Sequence, residues 1–127
     1  PKMPSVLFVC LGNICRSPTA HAVFEQLLQQ HHLHDVVRVD SCGTGAWHIG
    51  QAPDERTQKA AQQKGYDLSH LRARRITPED FQQFDYILAM DTRNLADIIK
   101  MAPSDYAGKI QLFLDIFKQT KENEINK

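Results

Sequence analysis

Residues 9–20 read VCLGNICRSPTA. They set a thiol, Cys10, six positions before a guanidinium, Arg16, with Gly12 and Asn13 between them and Ser17-Pro18 directly after. An ionised cysteine is a strong nucleophile. An arginine fork reaches two phosphoryl oxygens at once, which a lysine does not. One end of such a loop would hold an oxyanion and the other would attack it. Taken alone, Cys-x5-Arg is a weak pattern whose bland reading is a buried thiol beside a surface arginine. It is also not the Walker loop, which needs Gly-x4-Gly-Lys-Ser/Thr. The surroundings decide.

Upstream, VLFV (6–9) is a continuous apolar run, the pattern of a strand buried on both faces of a parallel sheet. Downstream, Ala20, Val23, Phe24, Leu27 and Leu28 recur at i, i+3, i+4, i+7 and i+8, one face of an amphipathic helix. Ser17 is a natural N-cap for that helix, and Pro18 suits its first position. The loop 10–16 therefore runs from a strand's carboxyl end into a helix N-terminus, where α/β sheets bind ligands. Backbone N–H groups and the helix dipole make that place an anion site. Gly12 is free to take positive φ, and Asn13 tolerates it better than most residues. The amides of residues 11–16 are then expected to curl around a phosphate-sized anion. The same donors favour a thiolate at Cys10.

The alternation continues. VVRV (36–39) reads as a second strand, and PDERTQKAAQQKG as a helix capped by Asp54 and stopped by Gly65. TPEDF (77–81) opens a short helical turn, and YILAM (86–90) is another buried strand. Asp91 caps a helix carrying Leu95, Ile98 and Ile99, which Pro103 ends. IQLFL (110–114) is the last strand, followed by the polar tail KQTKENEINK. This order implies right-handed βαβ units in one α/β domain over residues 1–127, a parallel sheet covered on both faces.

The chain balances 15 lysines and arginines against 15 aspartates and glutamates, which argues against broad binding to nucleic acid or a membrane surface. No apolar run approaches a membrane span, and the first residues lack the pattern of a signal peptide. Cys10, Cys15 and Cys42 make no disulfide framework and match no zinc spacing. A cytoplasmic protein without metal or cofactor is expected. Cys42 reads as a small packed hydrophobe. HHLH (31–34) reads as a solvated helix end, and RARR (72–75) as a solvated basic face. The functional reading of RARR is steering of acidic, phosphorylated peptides.

The stretch VLFVCLGNICRSPTA resembles the signature of the low-molecular-weight protein tyrosine phosphatases. DSCGTGAWHIGQAPDERT, DLSHLRARRIT, FDYILAMD and KIQLFL continue the likeness in order over nearly the whole chain. The resemblance implies a three-layer fold, four parallel strands in flavodoxin-like order 2-1-3-4 with helices on both faces. It also implies hydrolysis of phosphotyrosine through a cysteinyl-phosphate, without a metal. Phosphotyrosine proteins or peptides are then the partners, and inorganic phosphate or other oxyanions the ligands and inhibitors.

Carried over by motif, Cys10 is the nucleophile. Arg16 clamps the phosphate together with the loop residues Leu11, Gly12, Asn13, Ile14 and Cys15. Ser17 donates to the thiolate and helps the phosphoenzyme break down. Asn13 hydrogen-bonds to hold the cup, with Ser41 and His70 as its implied orienting partners. Here HLRAR carries one residue more than the family's His-x-Ala-Arg. Trp47 implies an aromatic wall opposite Leu11. Cys15 implies a redox partner that captures an oxidised Cys10 as a disulfide.

The resemblance also exposes a gap. The family's general acid is an aspartate in an Asp-Pro-aromatic stretch after the final strand, before a closing helix. This sequence contains no Asp-Pro and stops at KENEINK, about where that loop should begin. Asp115 follows the last strand too early to reach over the cup. The expectation is a domain shortened at its C-terminal end, without the closing helix and with its general acid unassigned. Part of one sheet face and the first helix's apolar stripe would then be uncovered. Two other readings stay open. One is a phosphate- or phosphotyrosine-binding module with little turnover. The other is an arsenate reductase, which would need cysteines beyond position 42 that this chain lacks.

Overall fold

The computed structural model describes residues 3–115. Its elements are β1 (Ser5–Cys10), α1 (Arg16–Gln30), β2 (Arg38–Gly43), α2 (Glu55–Gln63), α3 (Asp80–Gln83), β3 (Tyr86–Ala89), α4 (Thr92–Met101) and β4 (Lys109–Leu112). The strands form one sheet in the order β2-β1-β3-β4, every pair parallel. This is the architecture and strand order expected. The tail KQTKENEINK lies outside the described residues.

β1 is central because its side chains are apolar on both faces. Leu7 and Val9 join Cys42, Ile87, Phe81 of α3 and Ile98 of α4 in one buried cluster. Phe8 turns to the other face, where the rings of Phe24 on α1 and Phe113 meet it edge-on at 5.8 Å. On α1, Ala22 packs with Ala61 of α2 and with Leu68. Burying one large apolar side chain stabilises by roughly 1.5–3 kcal/mol, so packing from both sides fixes the strand that ends in Cys10. Among the described residues, no helix is long and apolar enough to cross a membrane.

Several boundaries differ from the sequence expectation. β2 runs Arg38–Gly43 rather than over 36–39. Val36 and Val37 instead donate to the Leu33 carbonyl in the turn after α1. Pairing starts where Arg38 faces Ser5 and runs to Gly43 opposite Cys10. The strand's second half, Asp-Ser-Cys-Gly, is small and weakly apolar, so hydrophobicity marks the wrong half. β4 begins at Lys109 and ends at Leu112, short of 114.

α1 starts two residues earlier than expected. Cys15 is its N-cap, with no side-chain capping bond, and Ser17 is fully buried inside the first turn. Its hydroxyl is directed at Cys10 instead of capping the helix. The buried face of α1 is Ser17, Pro18, His21, Ala22 and Leu28, while Leu27 is exposed. The other caps stand as read. Asp54 accepts from Thr57 N at 3.2 Å and Asp91 from Asn94 N at 2.7 Å. Gly65 follows α2 with φ +90°.

Candidate active site

β1 ends on Cys10 and α1 begins at Arg16, so residues 11–15 make the turn. Asn13 takes the left-handed conformation, φ 58°, whereas Gly12, expected to share it, does not. Gly12 serves a close approach instead: a Cβ there would meet His48 Cδ2 at 2.9 Å. The bend at Asn13 brings its N–H back to the strand end, where it donates to Cys10 Sγ at 3.2 Å. Ser17 Oγ lies 2.9 Å from the same sulfur, which is buried. Two polar contacts at the open amide end of α1 place positive potential on the thiol.

The direction of these bonds is set from outside the loop. The Arg74 backbone N–H donates to Asn13 Oδ1 at 3.0 Å. The carboxamide therefore presents Nδ2 to Ser17 Oγ, 2.9 Å away. Ser17 Oγ accepts that bond and keeps its own proton for Cys10 Sγ or for the Cys42 carbonyl at 3.3 Å. Behind the loop, Thr44 N and Gly45 N donate to the carbonyls of Cys10 and Leu11, both at 2.9 Å. Gly43 lies directly beneath: a Cβ there would sit 2.6 Å from Leu11 O and 3.1 Å from Asn13 N.

A cleft of about 280 Å³ opens over residues 10–12 and 14–16, with Trp47 and His48 on its opposite side. Leu11 and Trp47 are both exposed at its rim, and Cys15 is half-buried. Arg16 Nη2 donates to Asp91 Oδ2 at 2.8 Å. The Asn94 N–H holds the Asp91 carboxyl below its ordinary range against the cost of desolvation, and the Arg16 bond adds to this. A larger hollow of about 450 Å³ lies at the other end of the sheet, around Pro4, Tyr86 and Lys109. No cysteine or arginine lines it, so it has no part in this chemistry.

Two implied contacts are corrected. Among the described residues, Asn13 Oδ1 takes the Arg74 amide and Nδ2 takes Ser17 Oγ, while Ser41 and His70 turn to other partners. Ser41 Oγ pairs with His21 Nδ1 at 2.9 Å. His21 Nε2 is 3.3 Å from Glu25, and exposed His70 is 4.0 Å from the same carboxylate. Burial lowers the pKa of His21, while Glu25 and Asp40 pull the other way.

RARR is not a uniformly solvated face. Arg74 donates to both Asp80 oxygens, at 3.0 and 2.9 Å, and to Asp40 at 3.2 Å. Burial alone would lower its pKa, but the Asp80 hydrogen bonds and the nearby negative groups hold it above the ordinary arginine value. Burial pushes the Cys42 thiol well up, as suits a packed neutral side chain. Among the described residues, no cluster of three or more His, Cys, Asp or Glu is placed to hold a metal ion. The sequence reading missed Arg74, His21, His48 and the second role of Asp91. Only for Asp80 was there a local signal, the Thr-x-x-Asp spacing from Thr77 that points its carboxylate back along the chain.

A family model described as low molecular weight phosphotyrosine protein phosphatase matches residues 5–126. The protein of that name from Schizosaccharomyces pombe is 49% identical over 113 residues, spanning 88% of this chain and 72% of that protein. The crystal structure of YfkJ from Bacillus subtilis superposes with a TM-score of 0.85 at 43% identity, covering 91% of this chain and 72% of that one. A protein tyrosine phosphatase from Entamoeba histolytica, crystallised with Hepes in its active site, gives 0.84 at 42% identity over 88% and 71%.

Proposed function

This chain belongs to the low molecular weight phosphotyrosine protein phosphatases, enzymes that hydrolyse phosphotyrosine, and from that premise we propose a reaction through a phosphocysteine on Cys10. The Cys10 thiolate attacks phosphorus in line with the leaving phenolate, forming the S–P bond as the P–O bond breaks. Arg16 and the amides of residues 11–16 hold the three equatorial oxygens, where charge gathers in the transition state. Water then cleaves the S–P bond and releases inorganic phosphate. The Ser17 hydroxyl stabilises the departing thiolate in that second step. Leu11 and Trp47 flank the phenyl ring.

The observation that supports this most is the convergence of Ser17 Oγ, at 2.9 Å, and Asn13 N–H, at 3.2 Å, on one buried sulfur. Phosphotyrosine peptides and proteins are the proposed substrates, with phosphate and other oxyanions as competing ligands. Cys15 is assigned the disulfide partner of a Cys10 oxidised by peroxide. Cys10, Cys15 and Cys42 are all unpaired, which suits a reducing compartment, and we place the protein in the cytoplasm on that ground. No observation favours the binding-module or arsenate-reductase alternatives.

Rapid acid quench during turnover of an aryl phosphate, followed by peptide mass spectrometry, should find phosphate on Cys10. Cys10→Ser should abolish turnover. Phosphate trapped on another residue, or near-normal turnover by Cys10→Ser, would overturn the assignment.

A further inference from the structure

Arg74 lies in the segment between α2 and α3, outside the catalytic loop, and its side chain hydrogen-bonds to Asp40, Asp80 and the Arg75 carbonyl. Its guanidinium bridges two elements. One side takes Asp80 at the start of α3 as a two-pronged pair, and the other takes Asp40 of β2 at 3.1–3.2 Å. Asp80 is itself buried and also accepts from Thr77 N at 2.7 Å. The Arg74 main chain faces the opposite way. Its N–H donates to Asn13 Oδ1 at 3.0 Å, and its carbonyl accepts from Gly43 N at 2.9 Å. We propose that Arg74 is a positioning residue for the nucleophile, its side chain clasped by Asp40 and Asp80 so that its backbone amide fixes the Asn13 carboxamide.

The argument is directional. A carboxamide has an accepting end and a donating end. A backbone N–H donates only, so the Arg74 amide takes the accepting end of Asn13. The donating end is left for Ser17 Oγ, at 2.9 Å. Ser17 Oγ, once it accepts, is free to turn its one proton to the sulfur 2.9 Å away. If the Arg74 amide moved off, Asn13 would be free to rotate its oxygen toward Ser17. Ser17 would then donate to that oxygen, and the sulfur would lose its hydroxyl donor. The side chain matters because segment 73–76 pairs with the sheet only briefly, around Gly43, whose N–H donates to the Arg74 carbonyl at 2.9 Å and whose carbonyl accepts from Ile76 N at 2.8 Å. The double clasp restricts the backbone angles at Arg74, which a single flexible ammonium cannot reproduce.

This inference rests on Cys10 as nucleophile, and its test reads the thiol directly rather than turnover. Iodoacetate alkylation of Cys10 is followed at pH 6 and pH 9.5, by peptide mass spectrometry, in four proteins. These are the wild type, Arg74→Lys, Asn13→Gly and the double variant; glycine preserves the left-handed backbone at position 13. Arg74→Lys should lower the pH 6 to pH 9.5 rate ratio about tenfold, the scale of one hydrogen bond to a charged group. In the Asn13→Gly background, adding Arg74→Lys should cause no further loss, because the carboxamide through which Arg74 acts is gone. An unchanged ratio in a folded Arg74→Lys protein, or losses that multiply in the double variant, would overturn the proposal. Should Arg74→Lys fail to fold, Asp40→Asn opens one side of the clasp, leaves the Asp80 pair, and is read the same way. A wild type whose Cys10 alkylates no faster at pH 6 than a free thiol would sink the nucleophile assignment itself.

Discussion

Arg16 Nη2 and Asp91 Oδ2 stand 2.8 Å apart, so the far end of the phosphate loop is tied to the residue that caps α4. One carboxylate does both tasks: Oδ1 takes the Asn94 amide and Oδ2 takes the guanidinium. Its pKa is depressed in the fold, so the tie is present above the ordinary carboxylate value of about 3.9 and is lost as pH falls through the lower folded value. Asp91→Ala removes the cap and should cost about 1 kcal/mol of stability. Asp91→Asn keeps a capping oxygen but not the charge, so its melting temperature should stay near wild type. Both should weaken phosphate inhibition, because Arg16 loses its fixed rotamer. Differential scanning calorimetry and phosphate inhibition constants separate the two effects.

Arg16→Lys keeps the positive charge and loses the planar fork. The loss should fall on kcat/KM by about 2–4 kcal/mol, the scale of removing one transition-state donor. Steady-state kinetics with an aryl phosphate measure it, and a near-normal value would remove arginine from the chemistry.

Gly43→Ala should damage the loop from below. The added Cβ would lie 2.6 Å from a backbone oxygen, and backbone gives way less readily than a side chain. Overpacking of this kind costs typically about 1–3 kcal/mol. Urea unfolding should show that loss together with a fall in turnover. A variant with wild-type stability and turnover would mean that the loop moves freely over β2.

The buried His21 makes stability depend on acid. Its folded pKa is lowered by burial, so the neutral ring's contribution is present above about pH 6.5 and is lost as pH falls through the folded value. The groups facing it are Ser41, Glu25, Asp40 and His70; the two carboxylates reduce the effect and His70 enlarges it. Unfolding free energy should therefore drop as pH falls below about 6.5, and His21→Gln should flatten that slope. Equal slopes in both proteins would place the acid sensitivity elsewhere.

The 127 residues contain no Asp-Pro, and no residue is assigned to protonate the leaving phenolate. General acid catalysis is typically worth about 10²–10⁴-fold. A polypeptide of these 127 residues alone is therefore the one to test: without an added acid it should hydrolyse esters of acidic phenols faster than phosphotyrosine, with rate falling as leaving-group pKa rises. A series of substituted phenyl phosphates tests this. A flat dependence would mean that some residue of this chain supplies the proton.

What the sequence made legible was local. The apolar run ending in Cys10, the turn residue Asn13, and the caps Asp54 and Asp91 all act within a few positions of themselves. The misplaced residues depend on distant partners. Ser17 resembles a cap in every local respect, and only the sulfur beneath it turns its hydroxyl inward. Arg74 sits in a basic run that reads as solvated, and its carboxylates are 34 positions upstream and 6 downstream. The polar half of β2 is hidden from a hydrophobicity scan because Gly43 and Cys42 are chosen for size under the loop, not for propensity.

The bond from Arg74 N–H to Asn13 Oδ1 spans 61 positions, and every strand pair around it is parallel. Contacts of such long sequence separation are slow to form, because loop closure costs entropy before any contact rewards it. Cys10 and its immediate neighbours are synthesised early, yet the bond that orients Asn13 forms only after β2 and the chain beyond α2 have docked. A partly folded chain thus carries the whole Cys-x5-Arg motif without the bond that orients Asn13. Iodoacetate sensitivity at low pH would then serve as a clock for refolding, rising with the last contacts to close rather than with the first helix.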